Sequence, residues 1–303
     1  MSQKTQHIVC FGEMLWDILP TSRKPGGAPL NVGIYLSRNG NKVSLLNKVS
    51  DGDLRNELLD FSKKPGLDTS FIQKDQSYLN GAVKVNLDDT QNVTYKNVTP
   101  VFQGHISYAL KAKTTVESVE CFVYGFLAAR SKETFYSLKK HLDLPSFKIL
   151  DINLRRLHYN IETLKYLIGE ADLRKLNEDE LAILRDMFLT RYVEDDSLRE
   201  LSENFGINTI CLTLGEKGAR LYHEGKLFKC ARFKVQVVDT IGSGDAFFAS
   251  LISGFLVNTS KQTLLEKAYG DRALVARSER ATPKISIDSV NTLIENDSHS
   301  ITL

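Results

Sequence analysis

Asp239-Thr240-Ile241-Gly242-Ser243-Gly244-Asp245-Ala246-Phe247-Phe248 is the stretch on which the reading of this chain turns. Residues 234–238, just before it, are rich in valine and read as a strand. After it, Phe247, Phe248, Leu251, Ile252, Phe255 and Leu256 recur at helical spacing. A strand, a glycine-bearing turn and a helix therefore follow one another. The first N–H groups of a helix have no partner within it, so such a start is ready to bind an anion. Gly242 and Gly244 let the backbone come close to that anion. Asp245 is the charged side chain at the helix entry. It fits an N-cap, and equally a general base beside the anion; the turn alone leaves both open. Two better-known loops are excluded. A G-x-G-x-x-G fingerprint fails because Phe247 stands where its third glycine belongs, and no G-x-x-x-x-G-K-[ST] occurs in the chain.

Outward from this stretch, short β-branched runs alternate with segments of helical spacing. Residues 8–11, 43–49, 121–124, 148–152, 172–176, 208–213, 219–222 and 234–238 read as strands. Residues 31–39, 54–64, 132–141, 161–168, 179–187, 198–204, 246–257 and 264–278 read as helices. That alternation predicts an α/β fold, a mainly parallel sheet covered on both faces. The apolar runs at 120–124 and 148–150 fit doubly covered strands. Residues of about 14–26 and 77–102 break the rhythm. The second alternates apolar and polar residues around a turn-rich connector and predicts a small antiparallel sheet, a β-lid on one single domain, 1–303. Residues 296–303 read as a frayed tail.

Composition narrows the classes of function. The chain has 303 residues, 42% of them apolar, enough for a large core without disulfide or metal. The 39 basic and 37 acidic residues nearly cancel, with no basic run suited to nucleic acid or an anionic membrane. The longest apolar stretch, 246–257, is 12 residues, too short to span a bilayer. The four cysteines are scattered and lack a C-x-x-C pair, and the N-terminus has no apolar signal core. A reduced, cytoplasmic setting is the expectation.

Residues 238–247 resemble the C-terminal D-T-x-G-A-G-D segment of the ribokinase-like (PfkB) carbohydrate kinases, with Ser243 in place of its alanine. Five further segments resemble the family in order: Gly12-Glu13-Met14-Leu15-Trp16-Asp17, Gly26-Gly27-Ala28-Pro29-Leu30-Asn31, Asp151-Ile152-Asn153-Leu154-Arg155, Lys175-Leu176-Asn177-Glu178-Asp179-Glu180 and Thr213-Leu214-Gly215-Glu216-Lys217-Gly218-Ala219. Each is weak alone; six in order, spanning residues 12–245, are specific. The resemblance implies a ribokinase-like fold with its lid over the sugar, and ATP-dependent phosphorylation of a sugar hydroxyl. It implies that Asp245 is the base, that the amides of residues 241–245, including Gly242, Ser243 and Gly244, hold the moving phosphate, and that Arg155 pairs with phosphate oxygens. It implies sugar binding by Asp17, Gly26, Gly27 and Asn31, and nucleotide binding by Asn177, Thr213, Gly215 and Gly218. Glu180 would hold Mg2+ through water.

Blander readings stand beside these. Arg155 is equally a surface arginine, and Asn177 with Glu180 three residues on equally a capping box. Gly215 and Gly218 equally serve a plain turn, Asn31 equally caps a helix, and Asp17 equally lies on a solvated strand. Trp16 stacks on ligand or fills the lid. The chain departs from the family at Ser50-Asp51-Gly52-Asp53, at Leu79-Asn80-Gly81 and at Arg280-Ala281-Thr282-Pro283, which leaves open the adenine contacts, the lid contacts and any K+ dependence. The N-terminal segments look most like fructokinases, which implies fructose to fructose 6-phosphate. Ribose, 2-keto-3-deoxygluconate, a sugar phosphate and nucleosides are the alternative substrates, and a catalytically silent binding protein the alternative class. The lid's edge strands predict a homodimer through the lid.

Overall fold

Alternation along β1 (His7–Phe11) sets the layers: Ile8 and Cys10 join one apolar cluster, Val9 and Phe11 another. A strand that buries both faces must lie in the middle of a sandwich. The computed structural model describes residues 5–18, 23–50, 53–75, 82–87, 93–97, 105–154, 160–278 and 281–300. Among them β2 (Leu15–Ile18), β3 (Arg23–Gly26), β4 (Lys42–Ser50), β5 (Ile72–Asp75), β6 (Ala82–Leu87), β7 (Val93–Asn97) and β8 (Cys121–Gly125) follow β1. Then come β9 (Phe147–Asp151), β10 (Leu173–Asn177), β11 (Thr209–Thr213), β12 (Ala219–His223) and β13 (Lys226–Cys230). Nine of them form one sheet in the order β13-β12-β11-β10-β9-β8-β1-β4-β5. Its pairs are parallel except β11 with β12 and β12 with β13.

Helices cover both faces. On one side lie α1 (Ala28–Arg38) and α2 (Asp53–Lys63), whose Leu30, Leu36 and Leu58 enter the first cluster. On the other lie α3 (Leu110–Ser118), α4 (Lys132–Leu142), α5 (Ile161–Glu170), α6 (Glu178–Phe188) and α7 (Glu194–Phe205), whose Val116, Leu138, Leu164, Leu181 and Leu198 enter the second. The first side is completed by α8 (Ser243–Leu256), α9 (Lys261–Val275) and α10 (Ile287–Ser300). The doubly covered, mainly parallel α/β architecture is the one predicted.

Two local expectations fail. Residues 234–238 are not a strand: the chain leaves β13 and runs without a neighbouring strand, with Val237 46% and Val238 40% exposed. Valine favours a pleated, half-buried surface rather than extension as such, and no sheet edge lies alongside here. Residues 296–300 are helical, the end of α10, rather than part of a frayed tail, and residues 301–303 lie outside the described residues. Val290 is buried and Leu293 and Ile294 pack on the core, so the docked first turns carry the helix onward, one bond per added residue. The antiparallel pairing expected within residues 77–102 is present, β6 with β7, and the lid sheet extends beyond that hairpin. Its order is β3-β2-β6-β7, and β2 runs parallel to β6. The Leu79-Asn80-Gly81 departure lies outside the described residues.

Candidate active site

The helix after the glycine turn begins at Ser243, three residues before the predicted start, so Asp245 is its third residue and not its cap. Gly242 takes the cap position at φ 77°, in the left-handed region. A Cβ there would stand 2.0 Å from the Ala281 carbonyl oxygen, so the backbone lies directly against residue 281. The turn spends some of its own donors. The Ile241 N–H donates to Asp239 Oδ1 at 2.9 Å, and the Ser243 N–H to the Thr240 carbonyl at 3.2 Å. Buried Ser243 also donates its hydroxyl to the Thr240 carbonyl, at 2.7 Å, and so braces the turn. The Gly244 and Asp245 N–H groups have no acceptor among the described residues, and nothing lies within 4 Å of where a Gly244 Cβ would be. The Gly242 N–H likewise has no acceptor among the described residues, so within the expected cradle of residues 241–245 the Ile241 and Ser243 amides are spent in the turn and the other three are open.

The carboxylate meets the N-terminal glycine segment directly. Asn31 Nδ2 donates to Asp245 Oδ2 at 2.8 Å, across 214 residues of sequence. Asn31 sits one turn into α1, buried, and its Oδ1 finds no partner among the described residues. An orphaned buried acceptor beside a carboxylate suits a hydroxyl-bearing ligand. Gly27, at φ 106°, opens α1 and lies against the Glu13 carbonyl. At Gly26 a Cβ would stand 2.0 Å from Asp17 Oδ2, so the strand pair β2–β3 seats the Asp17 carboxylate on bare backbone. Gly12, Glu13, Pro29, Asp151 and Asn153 line an open cleft. Trp16 is buried under the Arg23 guanidinium, so it fills the lid.

Behind Asp245 lies a second carboxylate with its own cation. Asp151 ends β9, and Lys175 is its register partner on β10. Lys175 Nζ meets Asp151 Oδ1 at 2.8 Å, both side chains about nine-tenths buried. Glu180, also buried, accepts the Leu154 and Asn177 N–H groups on its two oxygens, each at 2.8 Å, while Asn177 Oδ1 accepts the Glu180 N–H. That is a complete capping box at the start of α6.

These surroundings set the acidities. Burial pushes the Asp245 carboxyl up to about 7, the Asp151 and Asp17 carboxylates adding to it while Asn31 and Lys175 oppose. Burial likewise lifts Glu180 to about 7 against Lys175. A helix start by itself favours the ionised form of a carboxylate, and here that preference is overridden. A helix terminus supplies a modest, local term, and desolvation with two like charges outweighs it.

The residues expected on the nucleotide side, Thr213, Gly215 and Gly218, lie farther along the sheet. Thr213 ends β11 as the register partner of Asn177, its hydroxyl 3.4 Å from the Leu176 carbonyl. Gly218 is required by its turn, since a Cβ would stand 2.0 Å from the Cys230 carbonyl oxygen. Gly215 faces open space and accepts the Tyr269 hydroxyl on its carbonyl at 2.8 Å. Among the described residues no hydrogen bond joins these three to Asp245, whose side chain is held by Asn31. Arg155 and Arg280 lie outside the described residues.

Lys175 opens the segment that resembles the N-x-x-E motif but has no role from that resemblance, although a lysine in a doubly covered strand is itself a signal. Sequence reading passed over a brace on α1, which had no local signal. The Tyr35 hydroxyl donates to the Ala281 carbonyl at 2.9 Å, and Arg38 Nη1 donates to the Thr282 and Pro283 carbonyls at 2.9 and 3.0 Å. One helix thus touches Asp245 and pins the segment against which Gly242 rests. Among the described residues no group of three or more His, Cys, Asp or Glu side chains is arranged to hold a metal. No helix of the described residues is long and apolar enough to cross a membrane.

The sequence pattern of the pfkB family carbohydrate kinases matches residues 5–285. Fructokinase-1 of Oryza sativa is 26% identical over 322 residues, covering 97% of this chain and 98% of the rice protein. An uncharacterized sugar kinase from Pyrococcus horikoshii, solved in complex with ATP, superposes with a TM-score of 0.75 at 26% identity, over 94% of this chain and 99% of that one. The 2-dehydro-3-deoxygluconokinase of Thermotoga maritima superposes with a TM-score of 0.84 at 18% identity, over 96% of this chain and 99% of that one, a likeness of fold.

Proposed function

We propose that this chain, which belongs to the pfkB family of carbohydrate kinases and is a phosphotransferase acting on a sugar hydroxyl, uses ATP to phosphorylate the primary hydroxyl of fructose, giving fructose 6-phosphate. The observation that carries the reading is the 2.8 Å bond between Asn31 and Asp245, which joins the glycine-rich sugar segment to the carboxylate at the open helix start. Relatives named fructokinase support fructose among the sugars.

Asn31 fixes one oxygen of Asp245, leaving the carboxylate able to accept the proton of the attacking hydroxyl as its oxygen bonds to phosphorus. The Gly244 and Asp245 amides receive the phosphate oxygens, whose charge grows during transfer. Asp17 and the orphaned Asn31 Oδ1 bind neighbouring hydroxyls, which accept and donate at once. Arg155 is proposed as a phosphate partner, and Thr213 and Gly215 as nucleotide contacts. The open amides fit the phosphates of a nucleotide. Mg2+ when bound neutralises phosphate charge; both Glu180 oxygens are engaged by amides, so Glu180 would reach such an ion only through water.

ADP release, measured with a coupled assay on Mg-ATP and a panel of sugars and nucleosides, tests the reading. Fructose is expected to give the highest kcat/KM. A preference for 2-keto-3-deoxygluconate, ribose or a nucleoside overturns the substrate, and no release with any acceptor overturns the kinase reading itself. The pH dependence is a second expected outcome. The base acts only when deprotonated, so kcat/KM for the sugar should fall on the acid side of about 7, where the buried Asp245 carboxyl takes up its proton. A profile flat down to pH of about 5 would contradict a base of this acidity.

A further inference from the structure

We propose that Lys175 is a positioning residue for phosphoryl transfer: its buried ammonium, fixed on Asp151 and facing Asp245 and Glu180, keeps the Asp245 carboxyl in its ionised, proton-accepting form. The inference rests on the kinase reading above. It starts from a lysine where a sheet of this kind has no ordinary use for one. β10 is covered on both faces, its leucines Leu173 and Leu176 are buried, and Lys175 between them is 8% exposed. An ammonium leaves water only at a large desolvation cost, which an ion pair alone often fails to recover.

The surroundings of that ammonium supply what offsets the cost. From β9 comes Asp151 at 2.8 Å; from α6, Glu180; from α8, Asp245 and the face of Phe248, whose ring centre is 5.7 Å from Nζ. Cys211 of β11 also faces it, and burial holds that thiol protonated. Burial works against the charge of Lys175, yet the three carboxylates together hold its pKa above the ordinary lysine value. Asp245 in turn is faced by Asn31 and Tyr35 of α1, Asp17 of β2, Asp151 and Lys175. Of these named neighbours, Lys175 is the cation. Its removal leaves Asp245 among like charges in a desolvated site, a setting that favours the neutral acid.

The test is the pH profile of kcat/KM for wild type, Lys175→Met and Lys175→Gln, with the titration of the Asp245 carboxyl carbon followed by NMR in the same proteins. Both variants are expected to move the acid limb, and the Asp245 titration with it, to higher pH by about one unit. Gln can still donate to Asp151, so it separates charge from hydrogen bonding and carries the test if Lys175→Met does not fold. Adding Asp151→Asn to Lys175→Met removes an opposing charge and is expected to bring the limb back toward wild type. A folded variant whose limb and carboxyl titration stay at the wild-type position, whatever its loss of rate, overturns the proposal and leaves Lys175 a structural partner of Asp151. Absence of kinase activity in wild type would overturn the kinase reading instead, and the carboxyl titration would still decide the electrostatic one.

Discussion

Replacing Asp245 with Asn is expected to lower turnover at least a hundredfold while leaving the fold intact. The amide has the shape of the carboxylate, and its oxygen can still accept from Asn31 Nδ2, so the contact between α1 and α8 survives. What it cannot do is take a proton from the attacking hydroxyl. Loss of a positioned general base costs roughly two to four decades in rate. Stability separates this cause from misfolding. The folded-state pKa of Asp245 is raised, to about 7. Between the ordinary carboxylate value near 4 and that raised value, the native chain holds more protons than the unfolded one, so wild-type stability declines as pH rises across the window. Asn carries no such penalty. Asp245→Asn should therefore be at least as stable as wild type at pH 8 by thermal or urea unfolding, and its advantage should shrink toward pH 4. A variant with near-native turnover would remove Asp245 from the base role; one both inactive and unfolded would show a structural part that the geometry does not indicate.

What could be read in advance was whatever depends on neighbours in sequence. The glycine turn before α8, the capping box of Asn177 and Glu180, and the alternating segments of the sheet all follow from residues within a few positions of one another. The start of α8 was placed three residues late, because Gly242 and Gly244 argue against helix by propensity, whereas Gly244 lies within it. The valines of residues 234–238 misled for the opposite reason: their preference is for a packed pleated surface, and whether one is present depends on sheet order. Lys175 stands opposite Asp151 only because β9 and β10 are neighbours in that order. The acidity of Asp245 depends on the same assembly. Asp17, Asp151 and Lys175 come from three strands, and their sum with burial reverses the sign that the helix terminus alone would give. Local chemistry named the groups; the fold decided their charge.

The cradle at the start of α8 predicts that two glycines two residues apart will respond to the same substitution in different ways. At Gly242 the backbone is left-handed, which costs an L-residue roughly 1–2 kcal/mol, and a methyl would enter the space of the Ala281 carbonyl oxygen, 2.0 Å away. That carbonyl cannot easily retreat. The Tyr35 hydroxyl holds it from α1, and Arg38 holds the next two carbonyls. Gly242→Ala must therefore push the first turn of α8 away from residue 281 and carry the Gly244 and Asp245 amides with it. The expected result is a loss of at least about 2 kcal/mol in stability, since steric overlap adds to the backbone term, and a fall in kcat of roughly a hundredfold or more, the usual cost of a displaced oxyanion donor. Gly244 is helical and open, with nothing within 4 Å of its would-be Cβ. Ala there should hold or raise the melting temperature, because it is the better helix former by about 1 kcal/mol. Its methyl would nevertheless stand beside a free amide, where phosphate must approach, so kcat should fall with the fold unharmed. Gly244→Ala with undiminished turnover would place the phosphate elsewhere, and Gly242→Ala with wild-type stability would mean that residue 281 yields where its two tethers say it is held.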